Sequence, residues 1–233
     1  NVWTSIYNSG ACSGRYVVSP TLTFIPLNGL MFQGIERWMN IADKRLRGKR
    51  VKCFVCPGND DQPESGRSIE KSESVTLAAE RLVMVNDDHE MISLGWTNPT
   101  PWNTFRECSE EEMHKKIEAL VAKVRNMKTS IFHFHAPPYG SQRDEAPELD
   151  ENLRPKYGGR TTIRVGSTSV GDAIRRYQPL LGLHGQVHES NGDCQTGRRV
   201  CINPGSSYGQ GILLGAVVNL DKKGLKNFFT TFG

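Results

Sequence analysis

Short apolar runs that stop abruptly at polar breaker clusters restrict this chain more than any other feature. Val51-Lys-Cys-Phe-Val-Cys56 runs into Pro57-Gly58-Asn59-Asp60-Asp61, and Ser130-Ile-Phe-His-Phe-His135 into Ala136-Pro137-Pro138. Leu180-Leu-Gly-Leu-His184 runs into Gly185-Gln186-Val187-His188, and the run around Val200–Ile202 into Asn203-Pro-Gly-Ser206. Apolar runs this short, bounded by breakers, read as buried strands. A buried strand that feeds a polar loop is where α/β folds place their chemistry.

Helical patterns alternate with these runs. From Gly29, the residues Ile35, Trp38, Met39 and Leu46 recur at roughly helical spacing, with Ile41 offset and Gly48 as a C-cap. Ser109-Glu-Glu-Glu112 is a capping box, followed by Met113, Ile117, Leu120, Val121 and Val124. Another capped helix starts near Ser167–Ser169 and runs to about Tyr177. Leu82–Val85 and Met91–Leu94 read as strands joined by Asn86-Asp87-Asp88, and 212–220 as a last strand. Residues 1–28 have no clear period and read as irregular, with one strand around Arg15–Val18. Gly95–Thr104 is too rich in proline for a helix or a central strand. The alternation predicts a single layered α/β domain over 1–233.

Charge and cysteine content bound the function. The net charge of +4 comes from scattered residues with short clusters at Lys44–Arg50 and Arg175–Arg176. A nucleic-acid binder would concentrate its basic residues on one face, so such a partner is not expected. There is no apolar run long enough for a membrane span and no signal-peptide pattern. Cys53-Phe-Val-Cys56 has C-x-x-C spacing, and with Cys194 and Cys201 a four-thiolate set is conceivable. The Cys53–Cys56 pair lies inside an apolar run, which favours buried, inert thiols and a reducing, cytoplasmic setting.

Each polar cluster alone has a bland reading. Gly-Asn-Asp-Asp is a common turn, and His133 and His135 on one strand face suit a satisfied core pair. Together they hold four of the six histidines, with Asn and Asp beside them. Asn, imidazole and carboxylate are ligands that suit Mn, Fe, Zn or Ni, and a parallel sheet would bring these strand ends to one edge.

The order Gly-Asn-Asp-Asp, His-Ala-Pro-Pro, Gly-Gln-Val-His-Glu-Ser, Asn-Pro-Gly-Ser resembles the calcineurin-like metallophosphoesterases. Met91-Ile-Ser-Leu-Gly-Trp-Thr-Asn-Pro-Thr-Pro-Trp-Asn-Thr104 looks like a largely uncharacterised archaeal and bacterial branch of them. The resemblance implies an α/β/β/α sandwich and a site for two divalent metal ions. It makes Asn59, His135, Gln186 and His188 metal ligands, with Gln186 in place of a family histidine. Asp60 stands where a catalytic histidine assists the leaving group, and Asp61 supports the loop. His184 would act from close behind the ligands, and His133 would be structural. Trp96, Trp102 and Tyr139 would line a substrate mouth, although the tryptophans equally suit a core cap. Arg143 and Arg160 read as ordinary surface residues.

The implied activity is hydrolysis of a phosphomonoester or phosphodiester, the substrate being a small molecule or a nucleotide. The family's first motifs, Asp-x-His and Gly-Asp, do not occur upstream of Gly58, where Asp43 is the sole aspartate. Together with the absent initiator Met, this suggests a fragment that lacks the first strands. The competing expectation is a non-catalytic binding or regulatory domain that kept the fold after losing a metal site.

Overall fold

The computed structural model describes residues 3–7 and 27–233, with side chains from residue 31 onward. The strand expected at Arg15–Val18 falls outside the described residues. Part of the segment expected to be irregular is ordered: β1 (Trp3–Tyr7), rich in aromatic and β-branched residues, pairs in parallel with β2 (Cys53–Pro57). Between them lies α1 (Leu27–Leu46), and Gly48 follows it with φ of 74°, as its C-cap reading requires.

After β2 come α2 (Ser65–Glu70) and β3 (Val75–Leu77), which completes a three-stranded parallel sheet in the order β1-β2-β3. α1 and α2 cover this sheet, with Ile35, Val55, Ile69 and Val75 at the contact. The remaining strands of the main sheet are β4 (Leu82–Met84), β5 (Glu90–Leu94), β6 (Ser130–Phe134), β9 (Leu181–Leu183), β10 (Gly192–Thr196) and β11 (Arg199–Asn203). They form a six-stranded sheet in the order β10-β11-β9-β6-β5-β4. β5, β6, β9 and β11 are parallel, and β4 and β10 are antiparallel to their neighbours. Two antiparallel hairpins are separate: β7 (Glu145–Pro147) with β8 (Thr162–Arg164), and β12 (Leu214–Asp221) with β13 (Gly224–Phe232).

Residues 78–80 join the two sheets. Ala78 N donates to Val55 O at 2.8 Å, Glu80 N donates to Ser93 O at 2.8 Å, and Ala79 makes a parallel bridge to Ser93. β2 therefore points the same way as β5, β6 and β9, and all four release their chain at one edge.

Alternation sorts the side chains of the main sheet between its faces. Ile92, Leu94, Phe132 and Phe134 pack beneath α3 (Glu110–Val121) and α4 (Thr168–Tyr177), with Met113, Ile117 and Ile174. Leu181 and Ile202 lie on the other face against Ala216, Val218, Leu225 and Phe228 of the β12–β13 hairpin. The capping box on α3 is formed, Ser109 Oγ accepting from Glu112 N. Ser167 caps α4, and Glu110 ties the two helices by accepting from Ser167 Oγ, Thr168 N and Ser169 N. This is a mixed α/β architecture, as the alternation predicts.

The four cysteines do not form a cluster. Cys53 and Cys56 lie on β2, whereas Cys194 and Cys201 face each other across the β10–β11 pair. All four are free thiols, and burial pushes the Cys56 thiol up to about 12, which makes it inert.

One buried carboxylate fixes the start of β5. Glu90 is buried and accepts from Arg125 N at 2.9 Å and Asn126 N at 2.7 Å. Glu90→Ala leaves two backbone donors stranded, and is expected to cost about 3 kcal/mol in urea unfolding.

Candidate metal centre

The chain leaves β2 through Gly58-Asn59-Asp60-Asp61, and this loop is fastened from within. Asp61 Oδ2 accepts from Gly58 N at 2.7 Å. The Arg106 guanidinium donates to three loop carbonyls, those of Gly58, Asp61 and Gln62, while Arg106 N donates to Asn59 O at 3.1 Å. Asp61 thus ties the loop to its own backbone. Arg106 had no signal in the sequence, because its bonds go to backbone.

Asn59 and His135 are both buried and meet head-on. His135 Nε2 donates to Asn59 Oδ1 at 2.9 Å, although the two residues lie 76 positions apart. A relay of side chains sets which end of the Asn59 amide faces the histidine. Asn59 Nδ2 donates to Thr104 Oγ1 at 2.9 Å, and Thr104 Oγ1 in turn donates to Glu107 Oε1 at 2.6 Å. Thr104 Oγ1 is therefore an acceptor for Asn59, which turns the amide oxygen to His135. Burial raises the Glu107 carboxyl, but hydrogen bonds from Thr100 and Thr104 outweigh this and hold it below its ordinary 4.5. It stays a full negative charge at the end of the relay.

The loop after β9 brings the next two candidates. Gly185 N donates to His135 O at 3.0 Å, pinning the loop to the end of β6. Gln186 adopts φ of 57°, a left-handed conformation uncommon for a non-glycine residue, and its Oε1 is buried with no hydrogen-bond partner. His188 stacks edge-on against Tyr208 at 5.7 Å. Asn203-Pro-Gly-Ser206 braces this loop: Asn203 Nδ2 donates to Val187 O at 2.8 Å, and Ser206 N to His188 O at 3.1 Å. A Cβ at Gly205 would lie 2.8 Å from His188 O, so the brace needs glycine there.

Electrostatics keep the imidazoles neutral. Burial, with the neighbouring imidazoles and Arg106, takes His135 down to about 3. Burial also lowers His188, against the opposing pull of Glu189 and Asp60. Asp60 is half-buried, and burial raises its carboxyl above the ordinary 3.8 in spite of His188. Asp60 and His188 are thus electrostatic neighbours at the same edge.

Most of the remaining candidates have partners of their own. His133 is buried beside Ser93, with Nδ1 3.1 Å from its Oγ, consistent with a structural histidine. His184 Nδ1 donates to Phe134 O and Ala136 O, at 3.0 and 3.1 Å. Its Nε2 turns towards Gly182, where a Cβ would sit 2.7 Å away, and towards the helix-covered face with Cys201. His184 therefore clamps β9 to the end of β6. Trp96 packs on the core beneath Lys116, 4.1 Å over its ring, and donates to Glu80 Oε1 at 2.8 Å. This placement fits the core-cap alternative. Trp102 and Tyr139 are exposed. Arg143 donates to Asn191 O, and Arg160 is exposed.

The donor set fits part of a metal site. Asn59 Oδ1 and His135 Nε2 are paired with each other where an ion would take both, and Gln186 contributes an unpartnered amide oxygen. Among the described residues, no three His, Cys, Asp or Glu side chains converge as a metal-holding group. The carboxylates that complete a two-ion site are not supplied by these residues.

The buried histidines make stability depend on pH. Burial takes His133 and His184 from 6.5 to about 4. Below pH 6.5 the unfolded chain binds protons that the folded chain refuses, so stability falls with pH until about 4. Each group accounts for about 3 kcal/mol over that window. The urea midpoint is expected to fall steeply between about pH 6.5 and 4.5, and a flat midpoint would contradict the buried, neutral assignment.

The chain is 31% identical over 156 residues to the uncharacterized protein MJ1162 of Methanocaldococcus jannaschii. That match covers 66% of this chain and 64% of the relative's length. Among solved structures, TT1561 of Thermus thermophilus superposes with a TM-score of 0.55 at 17% identity, covering 86% of this chain and 79% of that one. A second crystal structure gives 0.57 at 17% identity, covering 79% and 67%. These likenesses show a shared fold. No family model matches the sequence. Among the described residues, no helix is long and apolar enough to cross a membrane.

Proposed function

We propose that this chain carries part of a divalent-metal site for phosphoester hydrolysis, of the calcineurin-like metallophosphoesterase kind, in an α/β/β/α sandwich. The apposition of Asn59 Oδ1 and His135 Nε2 at the shared strand edge carries the reading. Both are buried metal-ligand atoms, and the Thr104–Glu107 relay orients the first of them. Gln186 Oε1 and His188 would complete the donors that this chain provides. A divalent ion held there (Mn, Fe, Zn or Ni) would activate a water for attack and offset charge on the phosphate oxygens.

The chain's own groups do the rest. Burial favours the neutral form of His135 and His188, and a metal at His135 Nε2 would replace the proton that this nitrogen donates to Asn59 Oδ1. Asp60, half-buried beside His188, would pass a proton to the departing oxygen as the phosphorus–oxygen bond breaks and would regain one from the attacking water, whose oxygen ends on phosphorus. The carboxylates missing from the described residues would come from another segment.

The competing reading is a non-catalytic binding domain, and Gln186 in place of an imidazole favours it. Elemental analysis of protein purified without chelator separates the two. Retained transition metal, lost in Asn59→Ala, supports the hydrolase. A metal-free protein that does not take up manganese supports the binding domain.

A further inference from the structure

A cavity of about 380 Å³ opens between the main sheet and the β12–β13 hairpin, and it is continuous with the candidate metal centre. His135, Gln186 and His188 line one end. Most of the remaining lining is apolar, including Met91, Ile131 and Leu181 from the sheet and Ala216 and Val218 from the hairpin, with Asn86, Asn203 and Asn219 as uncharged polar members. Among the described residues, no Lys, Arg, Asp or Glu side chain lines it. The volume is that of a small-molecule pocket. Gln186 lines the same cavity, in a left-handed backbone conformation and with its buried Oε1 unpartnered. A buried acceptor without a donor costs free energy unless a ligand completes it.

We propose that this site takes phosphate esters whose organic part is an extended apolar group, lodged between the sheet and the hairpin. The proposal rests on the phosphoesterase reading for its phosphate end. A nucleotide with further phosphates fits poorly, because no cation among the described residues lines the cavity to pair with them. An alkyl or aryl group gains from every methylene it buries there. The phosphate stays at the end formed by His135, Gln186 and His188, with Tyr208 beside His188.

Calorimetric titration with n-octyl phosphate and methyl phosphate, each with manganese present, tests this without needing turnover. Octyl phosphate is expected to bind about 100-fold more tightly than methyl phosphate. Ala216→Phe, which fills the cavity from the hairpin, is expected to reduce the octyl affinity to that of the methyl ester. Equal affinity of the two esters for the unaltered protein overturns the proposal, and that comparison does not depend on any variant folding. Tight octyl binding without turnover of any phosphoester supports the cavity and overturns the hydrolytic reading instead. Turnover of both esters at equal affinity does the reverse.

Discussion

Gly95→Ala is expected to destabilise this protein severely, although it adds a single methyl group. A Cβ at Gly95 would lie 1.9 Å from Pro57 O and 3.4 Å from Cys56 Sγ. The first contact is with backbone, so rotation of a side chain cannot relieve it. The ends of β2 and β5 would have to separate, and the Gly58–Asp61 loop begins at that point. Overpacking of this kind costs about 3 kcal/mol or more. The urea midpoint should fall accordingly, and metal retention should weaken with it, because Asn59 moves with the loop. A variant of unchanged stability would mean that β2 and β5 are not in contact.

The second large effect is expected at Asn59. Asn59→Ala removes the oxygen that faces His135 and leaves Thr104 Oγ1 without the donor it accepts from. Metal-dependent turnover should drop about 100-fold or more, as expected when a group that positions charge at the reacting centre is lost. Asn59→Asp provides the informative contrast. It keeps an oxygen towards His135 but cannot donate to Thr104, so it should retain metal better than the alanine variant. Equal losses in both variants would assign the whole effect to the Thr104 relay and not to a ligand oxygen.

Local signals made much of this legible in advance. The α3 capping box is contained within four consecutive residues, Ser109 to Glu112, and forms as its spacing predicts. Asn86 closes the expected turn by accepting from Asp88 N and His89 N. α2 gave no such sign, since it is short, polar and lacks a side-chain cap. β7 and β8 sit within or beside a polar loop, and β8 is exposed throughout, which leaves no alternation to read. β13 was missed for a related reason: it presents runs of exposed residues, Phe229 and Phe232 among them.

The site divides along the same line. Cluster order placed Asn59, Asp60, His135, Gln186 and His188 at strand ends, and the parallel sheet brings those ends to one edge. The supporting residues were not legible. Thr104 reaches Asn59 across 45 positions, and Arg106 acts through backbone carbonyls, so neither leaves a local pattern. His184, just after β9, bonds to the backbone of Phe134 and Ala136, contacts that leave no local pattern in the sequence either.

The central claim is that Asn59 and His135 hold a metal that hydrolyses phosphoesters, and its most direct test is the rate of bis-p-nitrophenyl phosphate hydrolysis against added manganese. The account predicts saturable, manganese-dependent turnover that is abolished by chelator and by His135→Ala or Asn59→Ala, with both variants still folded by circular dichroism. Turnover that persists in the folded variants, or manganese binding unaffected by either substitution, would contradict it.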